Sequence, residues 1–299
     1  MVDVIAPEEI TRLKGLGFLR DKTCLGHFNG RVITGNGKIS AQKLAAIAEA
    51  ARRFGSGEAA MTTRLTVEIQ GIPYENIPAL IEFLAQEGLE TGGTGAKVRP
   101  VVSCKGTTCQ YGLIDTFGLS EEIHRRFYQG YHDMKLPHKF KIAVGGCPNN
   151  CVKPDLNDLG IIGQRIPQPD EALCRNCKKC APQEACPLHV IVERDGKKLP
   201  DSEECNHCGR CVSKCPFGVY QKARVGYRVV LGGRWGKKTA VAQSLDRIFT
   251  EPEEVLELVE RVILFYRDHG QPGERFADTI ARLGFSSVQQ TLLSPELDR

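Results

Sequence analysis

The sequence of 299 residues is long enough for two or three domains, and 41% hydrophobic with 25% charged residues is typical of a globular protein. A net charge of +4 is small for this length and argues against a dedicated nucleic-acid-binding protein. No apolar run approaches the roughly 20 residues of a membrane span, and the N-terminus carries early acidic residues without an apolar signal core. A cytoplasmic protein without a membrane span is therefore expected.

Residues 1–92 are predicted to form a small α+β unit. A proline followed by two acidic residues predicts a short helix over residues 7–20, and "GRVITGNGKIS" predicts a strand that ends in a glycine turn. Ser40 is a typical N-cap for "AQKLAAIAEAARRF", whose apolar residues recur at helical spacing. "AAMTTRLTVEIQGIP" is predicted to be one strand with Arg64 and Leu65 on opposite faces, and "YENIPALIEFLAQEGL" a second helix.

A second unit is predicted for residues 93–168 and 221–299, interrupted by an insertion at 169–220. Its strands are expected in "KFKIAVGG", "LGIIG" and "GYRVVLGG", and its helices in "GLIDTFGLSEEIHRRFYQGY", in "PEEVLELVERVILFYRDHG" and after Gly273. The insertion differs in composition, because eight cysteines lie within 42 residues with few large apolar groups between them. A small separate domain is therefore expected there.

Thirteen cysteines, an odd number, in a chain without a visible export signal argue against a disulfide framework and favour metal or iron–sulfur ligation. The insertion holds two C-x2-C-x2-C runs, each followed by a fourth cysteine before a proline, as in bacterial ferredoxins. Zinc is the alternative, but four-cysteine zinc sites use two C-x2-C pairs instead of triplets. Because the fourth ligand comes from the other half, we predict one [4Fe–4S] cluster on Cys174, Cys177, Cys180 and Cys215 and another on Cys205, Cys208, Cys211 and Cys186.

Four further cysteines lie in two loops about forty residues apart, as the pairs Cys104 with Cys109 and Cys147 with Cys151. Two loops that each offer two thiolates can hold either a zinc ion or an iron–sulfur cluster. Their spacing alone leaves both possibilities open.

Four motifs, "TTR", "VRPVVSCKGTTC", "KFKIAVGGCPNNC" and "GGRWGKK", in this order resemble the sulfite and nitrite reductases that contain sirohaem and a [4Fe–4S] cluster. The insertion is further similar to the dissimilatory and anaerobic sulfite reductase branch. The resemblance implies an α+β fold, in which sulfite/nitrite reductase-like α/β units carry an inserted bacterial 2[4Fe–4S] ferredoxin-like domain. Residues 1–92 would be a ferredoxin-like half domain, and 93–168 with 221–299 would bind sirohaem and a cluster.

The activity implied by this resemblance is the six-electron reduction of sulfite to sulfide. Nitrite reduction to ammonia and a non-catalytic electron-transfer subunit are the alternatives. The cofactors implied are sirohaem and three [4Fe–4S] clusters, since the four cysteines of the two loops would bind the third cluster. Cys151 would link that cluster to the sirohaem iron.

The resemblance also implies roles for cationic residues. Lys139 and Lys141 alternate on a predicted strand and so point to one face, which in the family looks onto the substrate. Without the neighbouring cysteines, such lysines would be interpreted as the solvated face of a strand. Arg99 is implied as a third anion-binding cation, and Arg64 as a contact to the substrate or to the cofactor. The cations implied at the carboxylates of sirohaem are Arg64, Arg31, Arg234, Lys237 and Lys238.

Three features depart from the family pattern. The first cysteine pair is spaced C-x4-C instead of C-x5-C, and Ile33 stands where a second arginine after Arg31 would face the substrate. Only one copy of the repeat is present, whereas larger members join two copies around one sirohaem. A homodimer or a hetero-oligomer with a related subunit is therefore expected, with an electron-donor protein as a further partner.

Overall fold

The computed structural model describes residues 5–201 and 203–294, and the strands of these residues form three sheets. The first sheet is antiparallel in the order β1-β2-β4-β3, and two of the three helices of this part, α2 and α3, pack together against it. The elements of this part are α1 (Pro7–Gly15), β1 (Phe18–Arg20), β2 (His27–Val32), α2 (Ala41–Phe54), β3 (Ala59–Met61), β4 (Val67–Pro73) and α3 (Ile77–Gln86).

Helix α2 begins where the sequence predicts it. The Ser40 side chain accepts a hydrogen bond from the backbone N–H of Lys43, which satisfies one of the free amides of the first turn. The buried face of the helix includes Ile47 and Ala51, which share a hydrophobic core with Ile69 of β4. The predicted helix and its cap are confirmed.

The prediction of one continuous strand over "AAMTTRLTVEIQGIP" is wrong. β3 and β4 pair with each other as an antiparallel hairpin, and the chain turns between Thr62 and Thr66. The two threonine hydroxyls lie 2.6 Å apart, and the Thr62 hydroxyl also accepts from the backbone N–H of Thr66. Such local bonds compete with strand pairing, and Leu65 has a φ of 59°. Arg64 therefore lies at the tip of the hairpin and not on a strand.

The second part of the chain is built on a five-stranded sheet in the order β11-β10-β7-β6-β5. Strands β5, β6 and β7 are parallel to one another. Strand β10 pairs antiparallel with β7 on one side and with β11 on the other. The elements are β5 (Val102–Ser103), α4 (Thr116–Ile123), β6 (Ile142–Gly145), β7 (Leu159–Gln168), α5 (Ala181–Ala185), β8 (Ile191–Arg194), β9 (Lys197–Pro200), β10 (Lys222–Leu231), β11 (Gln243–Phe249), α6 (Pro252–His269), α7 (Phe276–Leu283) and α8 (Phe285–Leu293).

Two predicted helices of this part differ from the structure. The stretch after α4 continues as a π-helical turn over His124–Gln129. After Gly273 the chain forms two helices instead of one, because Gly284 has a φ of 84° and separates α7 from α8. None of the helices in the described part of the chain has the length and apolar character needed to span a bilayer.

The cysteine-rich insertion lies at the open end of the long hairpin formed by β7 and β10. These two strands pair along ten residues each, and the chain leaves at the end of β7 and returns at the start of β10. Between them lie α5 and the hairpin of β8 and β9. A small apolar cluster there includes Ile191, Val219 and Tyr220, separate from the two larger cores of the chain.

A buried ion pair holds the last helices against the central sheet. Arg275, just before α7, donates through Nη2 to both carboxylate oxygens of Asp158, each at 3.0 Å. Asp158 has no exposed surface, and Arg275 is 5% exposed. Asp158 also accepts from the backbone N–H of Lys141 at 2.9 Å, so one carboxylate joins the start of β7 to the entrance of β6.

Replacing Asp158 with Asn should destabilise the chain by about 3–5 kcal/mol, because it leaves the Arg275 cation buried without a counter-charge. Thermal unfolding followed by circular dichroism should show a midpoint lower by several degrees. Glu49→Gln is the control, since its pair with Arg52 is exposed and should contribute little. Equal midpoints for the two variants would contradict this account.

Candidate active site and cysteine clusters

The parallel pairing of β5 and β6 brings the two cysteine loops of the central sheet together. Cys104 directly follows the end of β5, and Cys147 follows the end of β6 by two residues. Because parallel strands end at the same edge of a sheet, both loops leave from one place. The backbone N–H of Gly146 donates to Cys104 Sγ at 3.1 Å, so the loops are joined through a cysteine sulfur.

Two glycines allow this close approach. A Cβ atom added to Gly146 would lie 2.8 Å from the Cα of Gly106, and one added to Gly106 would lie 2.9 Å from the Cα of Gly146. Contacts under 3.0 Å are not tolerated by real Cβ atoms, so the two backbones touch. Thr116 closes this contact from the start of α4, and its hydroxyl donates to the carbonyl of Cys104 at 2.8 Å.

The four thiols of the two loops influence one another. Burial raises the pKa of the Cys147 thiol, and the neighbouring thiolates of Cys104, Cys151 and Cys109 raise this pKa further. Cys151 is the exposed member of the set. Within the described ranges 5–201 and 203–294, no three Cys, His, Asp or Glu side chains are arranged to hold a single metal ion.

A cavity of about 210 Å³ gathers most of the predicted cations. Four polypeptide segments supply them: strand β2 of the first sheet, the Thr62–Thr66 turn, the chain just before β5, and the chain just before β6. Among the described residues that line the cavity, none is acidic. The lining cations are Arg31, Arg64, Arg99, Lys139 and Lys141.

Arg64 and Arg99 are held by neutral oxygens instead of carboxylates. Arg64 donates to Asn157 Oδ1 at 2.7 Å and to the carbonyl of Pro100 at 2.6 Å. Arg99 donates to the carbonyl of Gly93. The Nε atoms of both arginines are buried and have no partner within the described structure. Burial lowers the pKa of each guanidinium to about 10, so both stay charged at neutral pH with unused hydrogen-bonding capacity.

The two lysines of the cavity flank Phe140 just before β6. Phe140 makes an isolated bridge to Val98, and Lys139 and Lys141 lie on either side of it. Burial lowers the pKa of Lys141 to about 8, helped by the nearby Arg64, Arg275 and Lys139 charges. Burial and Arg275 also lower the pKa of Lys139. Lys141 therefore exchanges its proton near neutral pH, which suits a proton donor.

Sequence reasoning missed three residues beside this cavity. Arg275 and Asp158 lie behind the lysines as the buried ion pair, and Arg275 Nε has no partner in the described part of the chain. His138 accepts through Nδ1 from the backbone N–H of Lys139, and burial lowers its pKa. No local motif marks these residues, because Arg275 reaches Asp158 across 117 positions of sequence.

Other predicted residues lie elsewhere or are already paired. Arg31 lines the cavity but donates to Glu68 at 2.9 Å. Arg234 forms an ion pair with Asp278 at 2.7 Å and does not line the cavity. Lys237 and Lys238 are exposed in the loop between β10 and β11. Their contact with a cofactor stays a prediction.

Ile33, which stands in place of a second arginine, is buried outside the cavity. It is 5% exposed, and its backbone N–H donates to the carbonyl of Glu90 at 2.8 Å. Its side chain packs near Gly92 and Gly93. The five cations therefore come together without a cation at this position.

The eight cysteines of the insertion separate into two neighbourhoods. One small cavity is lined by Cys186, Cys205, Cys208 and Cys211, and burial raises the pKa of the Cys211 thiol to about 12, with Cys205, Cys208 and Cys186 as neighbours. Around Lys198, the backbone N–H is 3.4 Å from Cys174 Sγ and the amine donates to the carbonyl of Cys177. Burial raises the pKa of Tyr220, and the thiols that raise it further are Cys180, Cys174 and Cys215 of this second neighbourhood together with Cys211 of the first.

Two models of known protein families match this chain. The family model of the nitrite and sulphite reductase 4Fe-4S domain matches residues 94–298. The chain belongs to the nitrite and sulfite reductase family. A second model, the nitrite/sulfite reductase ferredoxin-like half domain, matches residues 22–87. The α+β fold with reductase-like units, expected from the sequence motifs, is confirmed, whereas the inserted 2[4Fe–4S] domain stays a prediction.

Two similar members of the family are larger than this chain. The coenzyme F420-dependent sulfite reductase of Methanocaldococcus jannaschii is 29% identical over 228 residues, which cover 75% of this chain and 36% of that protein. A subunit of the anaerobic sulfite reductase of Salmonella typhimurium is 32% identical over 222 residues, with 68% and 64% covered. The solved structure of dissimilatory sulfite reductase I has a TM-score of 0.69 at 21% identity, with 89% of this chain and 68% of that chain covered. The chain thus spans about a third and just under two thirds of the two curated relatives.

Gly146→Ala tests the contact between the two cysteine loops. The added methyl should force the loops apart at a cost of about 1–3 kcal/mol, and the purified chain should hold less iron. Iron analysis after anaerobic purification and thermal unfolding measure the two effects. Gly15→Ala at the end of α1 is the control, since no atom lies within 4 Å of its added Cβ. Iron content equal to that of the control would show that the loops tolerate separation.

Proposed function

We propose that this chain is a sirohaem-dependent sulfite reductase, or a subunit of one, that reduces sulfite to sulfide. The observation that carries this proposal is the cavity lined by Arg31, Arg64, Arg99, Lys139 and Lys141, since five cations suit a small oxyanion and a carboxylate-rich cofactor. Family membership supports the class of reaction. Two similar proteins carry the name sulfite reductase, which favours sulfite over nitrite.

We further propose the domain organisation given by the sequence. Residues 1–92 would be the half domain, 93–168 with 221–299 the domain that binds sirohaem and a cluster, and 169–220 the inserted ferredoxin domain. Three separate apolar clusters of the described residues support this division. The position of the insertion at the open end of the β7–β10 hairpin supports it too, because a domain can be added there without interrupting strand pairing.

The donor sets fit iron–sulfur clusters. Thiolates from separate loops lie near one another, and backbone amides donate to Cys104 Sγ and lie near Cys174 Sγ, as expected for sulfurs that carry negative charge. The ligands we propose for three [4Fe–4S] clusters are Cys104, Cys109, Cys147 and Cys151 for the first, Cys174, Cys177, Cys180 and Cys215 for the second, and Cys186, Cys205, Cys208 and Cys211 for the third.

The cations of the cavity suit the carboxylates that sirohaem carries. Arg64 and Arg99 each hold a buried Nε without a partner in the described structure, so each can still donate to an incoming oxygen. When bound and joined to a cluster through Cys151, sirohaem would supply electrons to the oxyanion. Arg31, Arg64 and Arg99 would hold carboxylates and the substrate, and Arg234, Lys237 and Lys238 are proposed as further carboxylate partners.

Lys139 and Lys141 would provide protons and hold the anion. Reduction of an oxyanion releases oxygen as water, which requires protons at the departing oxygen. Lys141, with a pKa of about 8, is charged near neutral pH but gives up its proton readily. Asp158 fixes its backbone through the bond from the Lys141 N–H, so the amine is placed by a rigid element.

The placement of the two groups supports a second subunit. Lys141 precedes β6 and Cys147 follows it, so the cations and the four thiols lie toward opposite ends of this strand. A homodimer or a hetero-oligomer with a related subunit would let the cations of one copy meet the cluster of another. An electron-donor protein would complete the assembly.

Anaerobic purification with an absorption spectrum tests the proposed function. Sirohaem should give a Soret band and red bands that iron–sulfur clusters lack, and a chemical reductant should support reduction of sulfite faster than of nitrite. Broad iron–sulfur absorption alone, with no binding of added sirohaem, would instead leave an electron-transfer subunit. Faster turnover of nitrite would assign the enzyme to nitrite reduction.

Cys151→Ser should remove the haem-linked cluster and its haem while the two clusters of the insertion remain visible by EPR. The reason is that Cys151 belongs to the loop pair and lies outside the insertion. Cys24→Ser, a change at an exposed cysteine that lies outside the three proposed ligand sets, is the matched control and should keep all signals. Loss of every cluster in Cys151→Ser would refute the separate ligand sets.

The pH dependence of catalysis tests Lys141. The anion is held by the charged amine, so kcat/KM should fall as the pH rises through the pKa of about 8. Nitrite is the better probe, since it keeps a single charge over this range. Lys141→Arg should move the fall to higher pH because its charge persists, and Lys141→Met should lower kcat/KM by about 100-fold or more. Lys14→Arg, at an exposed position, is the control and should leave the pH profile of kcat/KM unchanged. The same unchanged profile in Lys141→Arg would show that Lys141 is not the group that titrates.

A further inference from the structure

We propose that the outer face of the cysteine-rich insertion is the docking site of an electron-donating protein with an acidic surface. This face, called the docking face, consists of Leu173, Arg175, Lys178, Lys179, Lys214 and Phe217. The inference rests on the proposed function, because a reductase of this kind needs a donor. It adds the place where the donor binds and the charge that it carries.

The first step is to decide which set of insertion cysteines faces the rest of the chain. Cys208 pairs with Arg165 of β7 as an isolated bridge, and the Arg165 N–H donates to the carbonyl of His207 at 2.8 Å. The guanidinium of Arg210 lies 5.3 Å from the ring centre of Tyr111, which follows Cys109 by two residues. The set of Cys186, Cys205, Cys208 and Cys211 is therefore the inner one, on the side of the central cysteine loops.

The other set lies beside Lys198 and Tyr220. The hydroxyl of Tyr220 donates to the carbonyl of Lys198 at 2.6 Å, and Lys198 in turn contacts Cys174 and Cys177. The residues between the cysteines of this outer set are largely exposed. Electrons that enter from a partner would therefore reach the outer set first and pass inward to the central loops.

The surface over the outer set has an apolar centre. Leu173 is 44% exposed and Phe217 is 37% exposed. A Cβ added to Gly218 would lie 3.7 Å from Leu173 Cδ1, so Leu173 lies beside the loop that carries Phe217. The guanidinium of Arg175 lies 4.2 Å from the Phe217 ring centre, which extends this surface toward the charged residues.

The charges of the docking face have one sign. Arg175, Lys178 and Lys179 lie between the first three cysteines of the outer set, and Lys214 precedes the fourth, all exposed. The same two segments, 174–180 and 212–217, contain no acidic residue, and the one carboxylate hydrogen-bonded to them among the described residues is Glu193, which accepts from the Asn176 side chain at 2.8 Å. The insertion as a whole is not basic, since its acidic residues include Asp201, Glu203 and Glu204 in the stretch before Cys205. The cations are therefore concentrated on the loops of the outer set.

An apolar centre with a charged rim is the anatomy of a protein interface. Opposite charges speed the encounter of two proteins and orient them, and electron-transfer complexes manage with small contact areas. Arg175 beside Phe217, with three further cations on the same cysteine loops, thus favours a partner with acidic groups around its own redox centre. Such a complex would bring the donor close to the outer set of cysteines.

The experiment measures binding of a small acidic [2Fe–2S] ferredoxin to the anaerobically purified holoprotein by isothermal titration calorimetry. Lys178→Glu with Lys179→Glu should weaken binding at least 10-fold at low salt, and added salt should weaken the wild type more than this variant. Arg20→Glu with Lys22→Glu, at two exposed positions of the first unit, is the control with the same change of charge. A basic cytochrome c should not bind the wild type.

The proposal would be overturned if Lys178→Glu with Lys179→Glu and the control Arg20→Glu with Lys22→Glu weakened binding equally. It would also be overturned if neither double variant weakened binding. Lys214→Glu with Phe217→Ala tests the same face from the other loop, and unchanged binding there would overturn it even if the first variant loses iron. Reduction of sulfite with a chemical reductant bypasses the docking face and should be unchanged in Lys178→Glu with Lys179→Glu. If the wild type failed to reduce sulfite in that assay, the proposed function would be refuted. If it reduced sulfite but the docking-face variants bound the ferredoxin as the control does, only the docking face would be refuted.

Discussion

The parallel pairing of β5 with β6 is the constraint on which the rest of the site depends. Each strand leads directly into a cysteine loop, and because parallel strands end at the same edge, the two loops start side by side. The backbones of Gly106 and Gly146 are in contact, which leaves no room for a side chain between the loops. A side chain at either glycine would force the loops apart, so the strand register and two absent Cβ atoms together hold the two cysteine loops side by side.

At the other end of β6 the chain concentrates positive charge that its own acidic residues only partly offset. Arg31 has Glu68 and Arg275 has Asp158, but Arg64 and Arg99 are held by carbonyl and amide oxygens. Burial lowers the pKa values of Arg64, Arg99 and Lys141, and neighbouring cations lower them further. An anionic ligand would relieve this repulsion, so the arrangement is physically reasonable for a site that receives anions.

Several helices and the cysteine loops could be predicted from local sequence. The cap of α2, the helix α6 and the cysteine loops follow from capping residues, apolar periodicity and motif spacing that act over a few positions. The Thr62–Thr66 turn could not, since an alternating pattern continues through it and only the threonine hydroxyls break the strand. Gly284 could have signalled the break between α7 and α8, but glycine also occurs inside helices, so its φ had to be observed.

The sequence by itself determined the chemistry of this protein: which cysteines are spaced for clusters, which cations accompany them, and to what family the motifs are similar. Those properties lie in short segments whose geometry is set by neighbouring residues. Only the tertiary structure decided that Arg64 reaches the cavity from a hairpin tip, that Ile33 lies outside it, and that Asp158 and Arg275 support it from behind. The physical reason is that these contacts join residues far apart in sequence, and sheet pairing and core packing bring such residues together.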